Sequence, residues 1–354
     1  MDYKALFSRL EFLRCVSCLK GPIIPETTET PQTLICKNCG ATFPVHDNGI
    51  KMLLSADMSE TKKSIKKFWG DLCKQWYTEI DKDLTSESLY NYLDDLKEMF
   101  RYRKHLATTE MDIDSLEGSQ VLEIGSGGGA HSALFKRYGA HMTSVDITPE
   151  RVISSSKKMS LIKEGTGISL QTDAENLPFV DDSFDIVYSS GVLHHSENTE
   201  RCIQEVYRVL KNDGKAILML YSRNSAMYWL NLFPKTILHG LIFKYSEAER
   251  LGLITEGRPK FGDTNNPITR VYSKKQIQRL LKNFRIESLR KNSFSFSQLP
   301  LAGRIRTPLL KWLCYKPWES GIIVYGSPHY GETKVELSLS PILGFAWNIV
   351  ASKN

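Results

Sequence analysis

The sequence predicts an α/β protein built around a doubly wound parallel sheet, with a small metal-binding module in front of it. Three observations lead to this fold class. Two Cys-x-x-Cys pairs lie near the start of the chain, a glycine-rich loop follows a short apolar run at residues 123–129, and from residue 119 onward predicted strands alternate with predicted helices. Such alternation is typical of a sheet with helices on both faces, whose ligands bind at the carboxyl ends of the strands.

The composition is that of a globular protein whose charge is unevenly distributed. The chain has 354 residues, 41% of them hydrophobic and 24% charged. These values exclude a disordered or collagenous chain, and the length suggests about two or three domains. Residues 1–222 contain 26 Lys and Arg against 32 Asp and Glu, whereas residues 223–354 contain 20 against 8. The basic last third is suited to phosphates, anionic lipid or an anionic substrate, or to the acidic half of the same protein.

The metal-binding module is predicted from two identically spaced Cys-x-x-Cys pairs with seventeen residues between them. A β-hairpin can bring two such turns together, and four thiolates then complete a tetrahedral zinc site without an open coordination position. The sequence therefore predicts a structural Zn²⁺ rather than a catalytic one, with a redox pair or metal-free cysteines as alternatives. The predicted ligands are Cys15, Cys18, Cys36 and Cys39.

The residues around these cysteines resemble a known zinc-ribbon family. Leu6, Leu10 and Leu13 recur on one face of a predicted short helix, ahead of Arg-Cys-Val-Ser-Cys-Leu-Lys-Gly-Pro-Ile and Cys-Lys-Asn-Cys-Gly-Ala-Thr-Phe-Pro-Val-His-Asp-Asn-Gly-Ile. Over residues 5–54 the pattern is similar to the small zinc-ribbon proteins that activate RNA and protein methyltransferases in trans and that also occur fused to bacterial methyltransferases. Val16 stands where that family usually has proline.

Residues 61–115 are rich in charges of both signs and predict helices that connect the ribbon to the sheet and cap it. This segment contains the aromatic cluster Phe68, Trp69 and Trp76. These side chains are expected either to pack in the core or to contact a substrate, and the sequence leaves both interpretations open.

From residue 119 the pattern predicts a parallel sheet. The expected strands are 121–124, 141–145, 168–171, 183–189 and 215–221, and the expected helices are 131–137, 149–163 and 199–210. Gly125, Gly127 and Gly129 let the backbone approach a ligand closely, although their spacing is tighter than a pyrophosphate site usually has. Asp146 lies 21 residues beyond Gly125 at the end of a strand, where its carboxylate can accept hydrogen bonds from ribose hydroxyls.

Five motifs between residues 119 and 221 together resemble class I S-adenosylmethionine-dependent methyltransferases of the type 11 group. They are Val-Leu-Glu-Ile-Gly-Ser-Gly-Gly-Gly, Ser-Val-Asp-Ile, Thr-Asp-Ala-Glu-Asn-Leu-Pro-Phe, Ser-Phe-Asp-Ile-Val-Tyr-Ser-Ser-Gly-Val-Leu-His-His and Arg-Val-Leu-Lys-Asn-Asp-Gly-Lys. The resemblance implies a seven-stranded Rossmann-like sheet and S-adenosyl-L-methionine as cofactor.

The resemblance also assigns roles to individual residues. Residues 125–129 are expected to hold the methionine part of the cofactor, Asp146 its ribose, and Asp173 with Ala174 its adenine, while Glu123 supports the glycine loop. The full set of cofactor residues implied in this way is Glu123, Gly125, Ser126, Gly127, Gly129, Asp146, Ile147, Asp173, Ala174 and Ser190.

His194 and His195 follow the fourth predicted strand, where the methyl acceptor is expected. Imidazole titrates in the range useful to a general base, which the acceptor needs only if it carries a proton at neutral pH. The alternative is that one or both histidines shape the pocket or cap a helix. In either case, alignment with an already activated methyl group can supply much of the acceleration.

Two apolar segments lie in the basic last third. Residues 226–243 are eighteen residues long and strongly apolar, but polar residues and a proline interrupt them. This pattern favours a lid over the substrate cleft, with membrane-surface contact as the alternative, and argues against a spanning helix. Residues 299–318 mix basic and apolar side chains. Together the two segments indicate a lipidic or otherwise bulky acceptor.

Residues 262–273 contain more polar side chains than a turn needs, which favours either acceptor recognition or a loop that fixes a helix at 274–283. These side chains are Asp263, Asn265, Asn266, Arg270 and Tyr272. Residues 284–289 predict a sixth strand, and the resemblance implies that residues 344–352 form the seventh, antiparallel between its neighbours.

The expected domains are a zinc ribbon at 1–56, a helical connector at 57–115, the cofactor-binding core at 116–222, a lid or acceptor insertion at 223–283 and C-terminal strands at 284–354. The early charges of the first residues argue against a signal peptide, so we expect a cytoplasmic protein. Peripheral contact with an anionic membrane is the alternative location. The sequence does not predict an oligomeric state.

The resemblance implies methyl transfer to a small-molecule, sugar or lipid-linked acceptor of bacterial biosynthesis. An RNA or translation-factor methyltransferase with its activator fused in cis is one alternative, and a non-catalytic cofactor-binding scaffold is another. Ser-Gly-Val-Leu-His-His stands where an Asn-Pro-Pro-Tyr type motif would indicate methylation of a planar nitrogen. That replacement, with the absence of an aromatic-rich nucleic-acid module, makes RNA the less favoured acceptor.

Overall fold

The computed structural model describes residues 6–27, 31–46, 49–52, 58–255 and 265–353. Within them, eleven strands form one sheet. The strands are β1 (Ile23–Pro25), β2 (Thr33–Cys36), β3 (Thr42–His46), β4 (Gly49–Lys51), β5 (Gln120–Ile124), β6 (His141–Asp146), β7 (Thr166–Gln171), β8 (Phe184–Ser190), β9 (Leu210–Tyr221), β10 (Phe284–Asn292) and β11 (Ala346–Lys353). Their order across the sheet is β1-β2-β3-β4-β7-β6-β5-β8-β9-β11-β10.

Helices cover the sheet. The α-helices are α1 (Glu60–Asp83), α2 (Ser86–Tyr102), α3 (Leu106–Thr109), α4 (Ala130–Arg137), α5 (Pro149–Ser160), α6 (Thr199–Val209), α7 (Phe233–Leu238), α8 (Glu247–Thr255), α9 (Lys274–Leu280), α10 (Ala302–Trp312), α11 (Gly321–Tyr325) and α12 (Lys334–Leu343). A π-helix spans Tyr228–Leu232, and a 3-10 turn spans Leu193–His195. Of the helices in the described part of the chain, none is both long and apolar enough to cross a bilayer.

The α/β prediction is confirmed, and the parallel strands β5 to β8 lie where the sequence placed them. Strand β5 is central, and its last four residues are buried, as expected for a strand covered on both faces. Strand β11 runs antiparallel between β9 and β10. The predicted helix at 199–210 ends one residue earlier, and strand β9 begins at Leu210, ahead of the predicted start at 215, with a shift in its register with β8.

The predicted seven strands are extended to eleven because the ribbon joins the sheet. Strand β4 pairs in parallel with β7, with Ile50 opposite Leu170 and Lys51 opposite Gln171. The amide of Met52 continues the ladder by donating to the Gln171 carbonyl at 2.9 Å. Without β4, strand β7 would present a row of unpaired backbone groups. The ribbon therefore completes an edge that the core leaves open.

A second junction joins the ribbon to the loop after β7. The amide of Arg14 donates to the Pro178 carbonyl at 3.0 Å, and the amide of Val180 donates to the Phe12 carbonyl at 2.8 Å. Of the predicted helix ahead of the cysteines, the described residues include helical residues 6–7 and a 3-10 turn over Leu10–Phe12. An extended segment follows this turn because its backbone pairs with the core.

The carboxylate of Glu205 on α6 lies at the centre of this junction. It is 3% exposed and accepts from the Arg14 guanidinium at 3.0 Å and from the Arg208 guanidinium at 2.8 Å. It also accepts from the amide of Leu177 at 2.9 Å. One buried carboxylate thus holds the ribbon, the loop after β7 and helix α6 together.

We expect Glu205→Ala to lower the free energy of unfolding by about 3 kcal/mol, because two guanidinium groups would lose their buried partner. Glu200→Ala is the matched control, since Glu200 is an exposed carboxylate on the same helix. Urea denaturation of both variants measures the difference. Equal stability of the two variants would show that the junction contributes little.

Candidate functional site

The four predicted metal ligands come together in the ribbon. Their sulfur atoms all lie within 4.8 Å of one another, and the pairs Cys15–Cys39 and Cys18–Cys36 are each 3.7 Å apart. A tetrahedral site with metal–sulfur bonds of about 2.3 Å has edges of about 3.8 Å. The observed spacing therefore fits a four-thiolate zinc site.

The predicted cofactor residues surround a cavity of about 470 Å³ at the carboxyl ends of β5, β6, β7 and β8. Nine of the ten residues line it. These are Glu123, Gly125, Ser126, Gly127, Asp146, Ile147, Asp173, Ala174 and Ser190. The tenth, Gly129, lies behind the wall at φ +79°, where a side chain would collide with Ser155.

The glycine loop gives this cavity its shape. Gly125 has φ +77°, and a Cβ atom there would collide with Val192. The hydroxyls of Ser126 and Thr172, two lining residues, are buried and find no hydrogen-bond partner in the described structure. Because buried polar groups are nearly always hydrogen-bonded, these two hydroxyls indicate a polar ligand.

Asp146 is fixed at the end of β6 by its own turn. Its Oδ1 accepts from the amide and the hydroxyl of Thr148, at 2.9 and 3.0 Å. Burial raises the pKa of Asp146, against the opposing effect of the Arg151 charge and these hydrogen bonds. Its carboxylate thus lies at the strand end where the sequence predicts a ribose partner.

Asp173 forms a charge cluster with helix α1. The Lys62 ammonium contacts Asp173 Oδ2 at 2.6 Å and Glu175 Oε2 at 2.9 Å. Burial alone would lower the pKa of Lys62, but hydrogen bonds and charge from the two carboxylates outweigh it and raise that pKa. The cluster anchors α1 over the Asp173 end of the cavity, where the sequence predicts the adenine.

Helix α1 covers the cavity with one stripe of side chains. The stripe members share a helical spacing of three or four residues, and all of them line the cavity. They are Lys62, Ile65, Trp69, Leu72 and Trp76. Trp69 and Trp76 thus face the site, whereas Phe68 is buried with 6% exposure. The helical spacing of Trp69 and Trp76 was visible in the sequence and could have distinguished these two cavity-lining residues from Phe68, which packs in the core.

A further set of residues that line the cavity, here called the polar end, was missed by the sequence analysis. They come from the end of α2, from α4, from β9 and from α11, so no local pattern links them. The polar end consists of Arg103, His105, His131, Met219 and Tyr325.

Charges at the polar end are compensated or absent. The Arg103 guanidinium binds Glu332 at 2.6 Å and donates to the Tyr325 hydroxyl at 2.8 Å. His131 Nδ1 lies 3.1 Å from the Tyr188 hydroxyl, and burial lowers the pKa of His131 to about 4. At neutral pH this end therefore offers neutral histidine and tyrosine side chains beside an ion-paired guanidinium.

Glu123 lies between the polar end and the glycine loop. Its carboxyl group accepts from the Ser132 hydroxyl and lies 3.7 Å from His131 Nδ1. Burial, with the charge of Asp146, raises the pKa of Glu123 to about 8. Its carboxyl group is thus largely protonated at neutral pH.

The two predicted catalytic histidines have different surroundings. His195 lines the cavity, and its Nδ1 lies 2.9 Å from Asn266 Nδ2 and 3.2 Å from the Ile268 carbonyl. Its Nε2 is buried and has no described partner. His194 does not line the cavity; its ring packs against Tyr221 with centroids 3.8 Å apart.

The segment at residues 265–273 positions these histidines. Asn266 contacts His195, and the Arg270 guanidinium donates to the carbonyls of Ser196 and Glu197. Asp263, a predicted acceptor contact, lies outside the described residues. The described contacts agree with a loop that fixes the turn after β8.

The predicted lid at 226–243 contributes no described residue to the cavity wall. Helix α1 covers the cavity instead. The apolar residues of 226–243 lie on the surface or pack against α8 and Phe345.

These features define a nucleotide-cofactor domain of α/β type. Residues 122–218 match the family model described as a methyltransferase domain. The chain therefore carries a class I S-adenosylmethionine-dependent methyltransferase domain, as its motifs indicated.

Three curated relatives show the extent of the similarity. An uncharacterized methyltransferase, YcgJ, of Bacillus subtilis is 39% identical over 101 residues, 28% of this chain and 40% of that protein. A ubiquinone biosynthesis O-methyltransferase of Dechloromonas aromatica is 28% identical over 62% of this chain and 93% of that protein. A chloroplastic 2-methyl-6-phytyl-1,4-hydroquinone methyltransferase of Oryza sativa is 32% identical over 36% and 42% of the two chains.

We expect one zinc ion per protein molecule and loss of that ion in Cys36→Ser, because three thiolates cannot complete the tetrahedron. Cys314→Ser is the control, since Cys314 is a free cysteine outside the cluster. Elemental analysis of the purified proteins measures the metal. Equal zinc in both variants would contradict the four-thiolate assignment.

Cofactor binding should release a proton and tighten as the pH rises from about 6 to 8. Glu123 is protonated in the free protein because burial raises its pKa to about 8, and the positively charged cofactor favours its carboxylate. Calorimetry in two buffers of different ionisation enthalpy counts the protons released, and Glu123→Gln should reduce that count. Undiminished release in the variant would exclude Glu123 as the source.

Proposed function

We propose that this protein transfers the methyl group of S-adenosyl-L-methionine to a hydroxyl or carbon of a small organic acceptor of quinol type. The observation that carries the proposal is that one cavity contains nine of the ten expected cofactor residues and continues to the polar end. Two of the curated relatives, named for methylation in ubiquinone biosynthesis and of a phytyl hydroquinone, support this acceptor class.

The polar end suits an uncharged aromatic acceptor. Its Arg103 is already paired with Glu332, so it offers no free charge for a polyphosphate. His105 and His131 are buried histidines whose pKa values are lowered by desolvation, so both are neutral. Neutral hydrogen-bonding groups beside Met219 and Tyr325 match a phenol ring with a hydroxyl.

The chain's own residues would position the acceptor and exclude water. The bound cofactor supplies an activated methyl group. Trp69 and Trp76 cover the cavity and reduce its contact with solvent. Because the cover, the glycine loop and the polar end belong to rigid elements, alignment is the main contribution we assign to the protein.

His195 is the proposed proton acceptor. Its Nδ1 meets the Ile268 carbonyl, which can only accept, at 3.2 Å and the Asn266 amide nitrogen, which can only donate, at 2.9 Å. The proposal requires the tautomer in which Nδ1 donates to the Ile268 carbonyl, because Nε2 is then free to take a proton. Burial lowers the pKa of His195 to about 4, which makes it a weak base. It therefore suits an acceptor that ionises readily, such as a phenol, better than an alcohol.

The general-base assignment predicts that His195→Ala lowers kcat by about 10²-fold, whereas His194→Phe stays within threefold because His194 does not line the cavity. Transfer from radiolabelled cofactor to a panel of substituted quinols measures both, with cofactor affinity as the control for folding. If His195→Ala turned over within about threefold of the parent, a rise of under 1 kcal/mol in the barrier, His195 would not be the general base.

The same assay tests the acceptor class. Label should appear in the quinol and not in total RNA or ribosomal protein added in parallel. Asp146→Asn, altered at the ribose position, is the inactive control. If label appeared in the RNA fraction with the parent protein but not with Asp146→Asn, the small-molecule proposal would be overturned.

A further inference from the structure

Large apolar side chains are exposed mainly in the last third of the chain. Of the eighteen exposed large hydrophobic residues in the described structure, fourteen lie between residues 229 and 342. Twelve of these belong to two segments, 226–245 and 299–318, whose exposed side chains we call the apolar face. They are Trp229, Leu230, Ile237, Leu238, Phe243, Tyr245, Leu301, Ile305, Leu309, Trp312, Leu313 and Tyr315.

The two segments are joined in space. Asn231 in the π-helix donates to the Gln298 carbonyl at 2.6 Å, one residue before the second segment begins. The second segment is tied down on its inner side by Arg306, which binds Glu336 of α12 at 2.6 Å. The two segments are therefore held next to each other at this contact.

Several side chains of the apolar face are far more exposed than packing against the protein would leave them. Leu238 is 82% exposed, Phe243 90% and Trp312 77%. Leu301 is 73% exposed and has φ +67°, a conformation that costs a leucine about 1–3 kcal/mol. Large apolar side chains that project from helix ends and turns can enter the headgroup and acyl boundary of a bilayer.

The charge of the two segments has one sign. Neither segment contains an Asp or Glu residue. Five of their cations are exposed and form no ion pair with a described carboxylate. They are Lys235, Lys244, Arg304, Lys311 and Lys316. Basic residues near an anionic membrane each add about 1 kcal/mol of attraction.

We propose that the apolar face docks the protein on the surface of an anionic lipid bilayer. Apolar side chains with cations among them and no carboxylates match the acyl boundary and the phosphates of such a surface. A second copy of this face would meet it with like charge, which disfavours self-association. The inference does not rest on the proposed function, because the face is outside the cavity and would bind lipid whatever is methylated.

Flotation of the full-length protein with vesicles tests the proposal. At low salt the protein should float with phosphatidylcholine vesicles that contain phosphatidylglycerol, and binding should weaken with added salt and with phosphatidylcholine alone. No flotation with the anionic vesicles would overturn the proposal. Transfer to a soluble quinol without vesicles is measured separately, so a failure there concerns only the proposed function.

Two double variants separate the contributions. Leu301→Ser with Trp312→Ser removes apolar area, and Arg304→Glu with Lys311→Glu reverses charge. Each should bind anionic vesicles at least about tenfold more weakly, while zinc content and cofactor affinity stay at parent values. If both variants floated as well as the parent, lipid contact would lie elsewhere on the protein, and the assignment of lipid docking to the apolar face would be overturned.

Ile153→Ser with Val180→Ser is the matched control, because these two side chains are also exposed but lie outside the apolar face. It should float like the parent. Size-exclusion chromatography of the parent and of all variants tests the alternative that a second copy of the protein covers the apolar face. A parent dimer that dissociates in the Leu301→Ser, Trp312→Ser variant would show that a second copy covers the face and would overturn the lipid proposal.

Discussion

The parallel pairing of β4 with β7 is the interaction on which the rest of the structure depends. It places the ribbon at an edge of the core sheet, directly beside the strand that leads into Asp173 and Ala174. Residues 12–14 then hold the loop after β7 through backbone hydrogen bonds. The ribbon is therefore a structural continuation of the core sheet, and the first cysteine turn, at Cys15, immediately follows the residues that hold the loop after β7.

A second constraint comes from helix α1, which closes the cavity that the sheet leaves open. Lys62 ties the start of the helix to Asp173, and the aromatic stripe continues from there toward the polar end. Helix α1 follows strand β4 of the ribbon in the chain, so one stretch of sequence provides both the edge strand and the helix that covers the cavity. The exclusion of water from the cavity and the support of the expected cofactor residues therefore depend on the same stretch.

Local features of the fold and the site could be predicted from the sequence, and non-local ones could not. The strands of the core alternate with helices and end at recognisable motifs, so their positions and the expected cofactor residues at their ends follow from pattern. The four ribbon strands pair with their neighbours in sequence, but their attachment to the core sheet depends on the distant pairing of β4 with β7. The polar end likewise gathers Arg103 and His131 from separate helices. His194 and His195 could not be separated, because their directions are set by the 3-10 turn at Leu193–His195.

Hydrogen–deuterium exchange of the full-length protein, with zinc bound and after zinc removal, tests most directly whether the ribbon supports the cofactor domain. The amides of Arg14, Met52 and Val180 are bonded across the junction. Our account predicts that zinc removal speeds exchange both in the ribbon and at residues 177–180 of the core, since these bonds would open together. Faster exchange confined to residues 6–46, with the core loop unchanged, would contradict it.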